Sequence, residues 1–327
     1  MRSGSRSLLI AAAVWGAMAA APAAATVRVV TTTTDLAALV AVVGRGIVTV
    51  ESIVMPASDP EAFEPRVGDI ERLRRADVLV RVGLGYDHWL DALIDRIGEK
   101  RLMRAGDAYL DASIGIPLLE IRGQSVVTEG GHAHGVANPH YWLDPDNAAI
   151  ITAGIAEILI RAAPAERERV IANRGRFLVE LETRRQRWSE SLAPYAGAKL
   201  VAYHNSWPYF ARRFRLDVID FIEPRPGVAP SPAHLAQLVV AGRKAGVRAI
   251  LHEPHEPQDA PLWIARKLDV PVVMLAISVG SVAGTDDYLA LFEHNVAALV
   301  KALTASARQR APPPRSQSSL HGVGRHV

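Results

Sequence analysis

Cysteine is absent from all 327 residues, so neither a disulfide framework nor a lipid-modified cysteine can form, and any metal must be held by His, Asp or Glu. After residue 25 no stretch is apolar for the roughly 20 residues that a bilayer-crossing helix needs. Phosphate-binding glycine loops are missing as well. Gly83-Leu84-Gly85 and Gly44-Arg45-Gly46 lack the third glycine or the lysine that a nucleotide site requires. Ser206 has no nucleophile-elbow setting, which removes the usual hydrolase triad. Acidic residues are missing from both ends of the chain. The formal charge is +3 with a pI near 9.3. Arg2, Arg6, Arg308, Arg310, Arg315 and Arg325 all lie in those ends, so the body between them is net negative and nucleic acid is excluded as a partner.

What is present starts with a leader. Two arginines, an apolar stretch over 8–20 and Ala23-Ala24-Ala25 follow the order of a secretory signal, with cleavage expected after Ala25. The exported chain is then expected to be periplasmic, without stable membrane insertion. With 49% hydrophobic residues it can bury a substantial core, and its length suits two lobes.

Short β-branched runs alternate with amphipathic stretches, which predicts an α/β fold with mainly parallel sheets flanked by helices. Strands are predicted at 27–33, 49–55 and 78–82, with helices at 36–43 and 67–75. The second half repeats the rhythm with strands at 199–203, 217–221, 249–252 and 272–275. Helices are predicted there at 207–214, 233–245, 260–268 and 287–305. Between the two series, 165–193 is rich in Arg, Glu and Leu and free of proline until Pro194, so it reads as one long connecting helix. The expected organisation is a signal at 1–25, an N-terminal lobe at 26–164, a linker helix at 165–194, a C-terminal lobe at 195–305 and a disordered tail at 306–327.

Two histidines stand out among eleven. His140 lies in Asn138-Pro139-His140-Tyr141-Trp142-Leu143-Asp144-Pro145, where two prolines fix the backbone. His204 follows a predicted strand, at the sheet edge where open α/β folds place ligands. One histidine from each lobe suggests a shared cleft. His252-Glu253-Pro254-His255-Glu256 has a superficial likeness to a zinc-protease helix. It lacks the second histidine at the required spacing, and its prolines break a helix.

Ser52-Ile53-Val54-Met55-Pro56-Ala57-Ser58-Asp59-Pro60-Glu61-Ala62-Phe63-Glu64-Pro65 resembles the N-terminal lobe of zinc- and manganese-binding substrate-binding components of ABC importers, the cluster A-I family. The segment at 138–145, the segment at 204–210, Pro226-Gly227-Val228-Ala229-Pro230-Ser231 and the segment at 250–254 are similar to the same family in the same order. The likeness implies two α/β lobes joined by a long helix, with a metal in the cleft and a membrane permease as partner. It implies a monomeric binding protein rather than an enzyme. His140 and His204 match two family ligands. The family's first histidine falls at Glu61, and its final aspartate falls near Leu275-Ala276-Ile277, where Ala276 has no donor.

Glu253 is the candidate fourth ligand, with capping or hydrogen bonding as its structural alternative. His255 beside it, and His134 in Gly130-Gly131-His132-Ala133-His134-Gly135, are further candidates. The expected set is Glu61, His140, His204 and Glu253 around Zn2+, with Mn2+ or Fe2+ as alternatives because a carboxylate is a harder ligand than imidazole. Binding is expected to weaken below about pH 6.5, the unperturbed histidine value. A periplasmic metal-dependent hydrolase, and a surface adhesin or metal store, are the alternatives from other classes.

Overall fold

The computed structural model describes residues 26–120 and 137–310. The predicted leader, residues 121–136 with His132 and His134, and residues 311–327 lie outside the described residues. The first lobe runs β1 (Val27–Thr31), α1 (Thr34–Val43), β2 (Val48–Ser52), α2 (Val67–Arg75), β3 (Val78–Arg81), α3 (Trp89–Ile97) and β4 (Tyr109–Asp111). Then come α4 (Asn147–Ala162) and α5 (Arg167–Leu192). The second lobe holds β5 (Lys199–Ala202), α6 (Pro208–Phe214), β6 (Asp217–Phe221), α7 (Pro232–Ala245), β7 (Ala249–His252), α8 (Asp259–Leu268) and β8 (Val272–Met274), and α9 (Tyr288–Arg310) follows.

Both sheets are parallel and four-stranded, and their orders match: β2-β1-β3-β4 and β6-β5-β7-β8. The central strands β3 and β7 are buried at every residue, as expected of strands covered by helices on both faces. Alternation along each strand divides the core. Val29, Val78 and Val80, with Leu200, Ala202, Ala249 and Leu251, face one cluster shared by the two lobes. Val30 and Leu79 face a smaller cluster under α2 and α3, and Val201 and Ile250 face another under α7 and α8. Each fully buried aliphatic or aromatic side chain contributes about 1.5–3 kcal/mol relative to exposure.

Helix ends follow local chemistry. At α7, the Ser231 hydroxyl accepts from the His234 N–H at 3.2 Å, Pro232 occupies the first turn, and Gly246 closes the helix at φ 76°. In α5, Val170, Asn173, Phe177, Leu181, Trp188 and Leu192 recur on one face and are buried, while the charged remainder faces water. Trp188 stacks on Phe292 of α9 with centroids 5.2 Å apart. At 26 residues, α5 is about 39 Å long and joins the lobes as a rod.

Direct bonds tie the lobes further. Thr34 and Asp35 at the start of α1 bond the Val279 backbone, and the Trp142 indole donates to Ile277 O at 3.0 Å. The Tyr209 hydroxyl accepts from Leu119 N at 3.0 Å and donates to Asn138 O at 3.1 Å.

The sequence reading set no bounds for α3 and α4, and the three-residue β4 was not anticipated. Strands β1, β2, β3, β5 and β8 end one to three residues before their predicted limits. Helix α9 continues to Arg310 instead of stopping near residue 305, and Ser306 is buried, so the segment predicted to be tail begins as helix. The stretch after Leu303 holds good helix formers and meets no proline before Pro312. No described helix is long and apolar enough to cross a membrane.

Candidate metal centre

Doubly wound sheets open a crevice where neighbouring connections leave in opposite directions, beyond the carboxyl ends of the central strands. In the second lobe that point lies between β5 and β7. His204 comes two residues after β5, and Glu253 comes immediately after β7. The first lobe supplies Glu61 from the connection between β2 and α2, and His140 from the loop before α4. These residues line one cavity of about 320 Å3, with Asp59, Tyr86, Glu223, His255, Glu256 and Ile277 among the other wall residues.

Each donor is held by its surroundings. The Glu61 N–H donates to Asp59 Oδ1 at 2.8 Å, and the Trp89 indole donates to Pro60 O at 3.0 Å, so the short loop carrying Glu61 is anchored on both sides. Gly83 turns the chain after β3 at φ 80°, where an added Cβ would lie 2.2 Å from Asp111. A buried Arg81–Asp87 ion pair at 2.8 Å then fixes the loop that presents Tyr86. The Tyr86 ring meets His140 edge-on, with centroids 5.3 Å apart.

Both imidazoles are oriented from behind. His140 Nδ1 lies 3.2 Å from Asn138 Oδ1, which also accepts the His140 N–H, so Nδ1 is the donor and Nε2 faces the cavity. His204 Nδ1 donates to Glu223 Oε2 at 2.5 Å, leaving its Nε2 inward in the same way. The two rings sit 5.6 Å apart, and their Nε2 atoms lie 3.6 Å and 3.8 Å from the same Glu61 Oε1. Ligands around a tetrahedral ion with bonds of about 2 Å are about 3.3 Å apart, so a small inward motion brings all three onto one ion. The donor atoms of Glu61, His140 and His204 already lie within 4.8 Å of one another.

Charge in this enclosure is costly without a cation. Burial pushes the Glu61 carboxyl up to about 8 against the pull of His204. Burial alone would lower His204, but the Glu223 hydrogen bond and the Glu61 and Glu253 carboxylates outweigh it and raise the ring to about 9. Glu253 is also raised by burial, and Glu256 is pushed up to about 10 by burial and by Glu253.

Glu253 does not join the first triplet. Its Oε1 accepts from the Trp207 indole at 2.9 Å, and its donor atoms group with His255 and Glu256 in a second triplet. His134 lies outside the described residues. Ala276, where the family resemblance leads to a ligand, is fully buried, and its backbone N–H and C=O are both bonded by Asn295 of α9. Sequence reasoning passed over Glu223 and Glu256. Glu223 had a usable signal, since it follows the end of β6 just before Pro224 and the turn at Gly227. Its Oε1 accepts from the Gly227 N–H at 2.5 Å.

The zinc-binding lipoprotein AdcA of Streptococcus pneumoniae (strain ATCC BAA-255 / R6) is 23% identical over 273 residues, 80% of this chain and 52% of the relative. The chain thus spans about half the length of the AdcA proteins it matches. The high-affinity zinc uptake system protein ZnuA of Yersinia pestis is 23% identical over 226 residues, 65% of this chain and 71% of that one. A crystal structure of ZnuA superposes with a TM-score of 0.72 at 24% identity, covering 85% of this chain and 99% of the other, which shows the shared fold. The substrate-binding protein FpvC from Pseudomonas aeruginosa, solved in complex with Mn2+, superposes with a TM-score of 0.71 at 26% identity over 86% of this chain and 99% of that one. Residues 29–302 match the family described as zinc-uptake complex component A, periplasmic, and the chain belongs to that family.

Proposed function

We propose that this protein captures a divalent transition metal in the cleft between its lobes and delivers it to an ABC-type importer. It acts as an exported, periplasmic monomer. Zinc is the first cargo, in keeping with the zinc-uptake family to which the chain belongs. One observation carries the reading: an imidazole from each lobe, fixed through Nδ1, directs Nε2 at a single Glu61 oxygen. Glu61, His140 and His204 hold the ion, and water fills the remaining positions. Closing ligands from both lobes onto one cation couples occupancy to the lobe geometry, which a permease can read.

Two imidazoles with one carboxylate form a harder donor set than three imidazoles, and such sets also accept manganese and iron(II). The Mn2+ complex of FpvC supports manganese as the second cargo. Titration calorimetry of the metal-stripped chain with Zn2+, and then with Mn2+ and Fe2+ under reducing conditions, tests the reading. Submicromolar, pH-dependent binding with zinc tightest is the expected result. No heat of binding with any of the three ions would remove the proposal.

A further inference from the structure

The motif His252-Glu253-Pro254-His255-Glu256, unsuited to a protease helix, takes a different form in the fold. Strand β7 delivers His252, and the chain then turns, with the Glu256 N–H bonded to Glu253 O at 3.2 Å. The Glu256 carboxylate folds back so that its Oε2 accepts the Glu253 N–H at 2.8 Å. The His252 ring bonds Glu256 O at 2.9 Å and braces the turn from beneath. Three ligand-type side chains from four consecutive residues therefore face the cavity, with Pro254 limiting the backbone between them.

Their polar atoms are only partly used. One Glu253 oxygen serves Trp207, while the other lies 3.8 Å from His255 Nε2. Glu256 is only 8% exposed, yet its Oε1 has no hydrogen-bond partner among the described residues. The same holds for His255 Nδ1. A buried carboxyl oxygen with no partner is unfavourable, and two acids in one turn repel each other whenever both are ionised. A cation between them answers both problems. The donor atoms of Glu253, His255 and Glu256 lie within 4.8 Å of one another, and ions with bonds of about 2 Å draw opposite ligands to about 4 Å.

We propose that Glu253, His255 and Glu256 form a second divalent-cation position, beside the Glu61, His140 and His204 triplet and in the same cavity. The two triplets share no residue, so the second position does not depend on the first being the cargo site. Its two carboxylates and one imidazole reverse the ratio of the first triplet and make it the harder of the two. Zinc and manganese both suit it. A protein loaded this way holds two ions per chain, one across the lobes and one within the second lobe.

The test uses the full mature chain, stripped of metal, dialysed against buffered Zn2+ and counted by plasma mass spectrometry. Co2+ loading, followed by visible absorption, gives a second readout. Wild type is expected to hold two ions. The His255→Ala, Glu256→Gln variant is expected to hold one and to keep the tight calorimetric phase. The His140→Ala, His204→Ala variant is expected to lose that phase and keep one ion. Glu256→Gln alone, which preserves shape and is checked by thermal unfolding, should weaken the second phase at least tenfold. A wild-type stoichiometry of one, or two ions remaining in the His255→Ala, Glu256→Gln variant, overturns the proposal. Retention of both ions in the His140→Ala, His204→Ala variant would instead count against the cargo site alone.

Discussion

The two lobes share one strand order but offer their donors in different ways. In the second lobe His204 and Glu253 emerge within two residues of strand ends, so the sheet itself positions them. In the first lobe Glu61 stands nine residues beyond β2, and His140 is far in sequence from every strand of its sheet, so side-chain and indole hydrogen bonds do the positioning. A fold can thus be duplicated while the means of aiming a ligand is not. Sheet-edge donors inherit their place from the backbone, whereas loop donors need a local set of bonds.

Removing one donor from each lobe is the strongest way to test that pairing. With apparent zinc energies of about 12 kcal/mol resting on three protein ligands and water, His140→Ala with His204→Ala should weaken binding at least on the order of 10^4-fold, as measured by chelator competition. An effect below about tenfold would mean that the ion sits elsewhere. The next largest effect belongs to pH. Glu61 at about 8 and His204 at about 9 both carry a proton at neutral pH in the ion-free pocket, and the ion must displace both. Affinity should therefore rise with pH, approaching about two decades per unit well below pH 8 and levelling off above about 9. This window lies above the value near 6.5 expected from an unperturbed histidine, because the carboxylates around His204 favour its charged form. Calorimetry in buffers of differing ionisation heat counts the released protons, and a count of zero would contradict the assignment.

Smaller effects separate sheet-edge from loop positioning. Glu223→Gln weakens the grip on His204 Nδ1 and should cost about 10–100-fold in affinity, the usual range for a residue behind a metal-binding histidine. Asn138→Ala should do the same for His140, and more severely if loop donors depend on local bonds. Equal losses from the two variants would erase the distinction between the lobes. Smallest of all, Tyr209→Phe strips Leu119 N and Asn138 O of a shared partner and should lower stability by about 1–3 kcal/mol in chemical unfolding.

Much of this was legible before coordinates. Short β-branched runs and the amphipathic stretches between them placed most elements of both lobes, and an Arg-, Glu- and Leu-rich stretch without proline placed the connecting rod, whose observed limits, Arg167–Leu192, lie just inside those predicted. The bounds of α3 and α4 were not set because Trp89–Ile97 and Asn147–Ala162 adjoin irregular loops, and β4 is too short for a pattern to register. His140 and His204 were readable from their junctions with proline and strand. Whether Glu253 faces the same ion as Glu61 was not, since spacing along the chain says nothing about the Trp207 indole that holds one of its oxygens. The place of Glu223 at a strand end was readable, but its pairing with His204, 19 residues away in sequence and across a strand pair, was not.

That indole contact has a practical outcome. Trp207 is fully enclosed and bonded to Glu253 of the second triplet, while Trp142 lies against His140 of the first with ring centroids 5.3 Å apart. Each half of the molecule thus carries a native chromophore beside its own ligand. The part of a metal-induced emission change that is lost in Trp142→Phe reports the interlobe position, and the part lost in Trp207→Phe reports the second, without any dye.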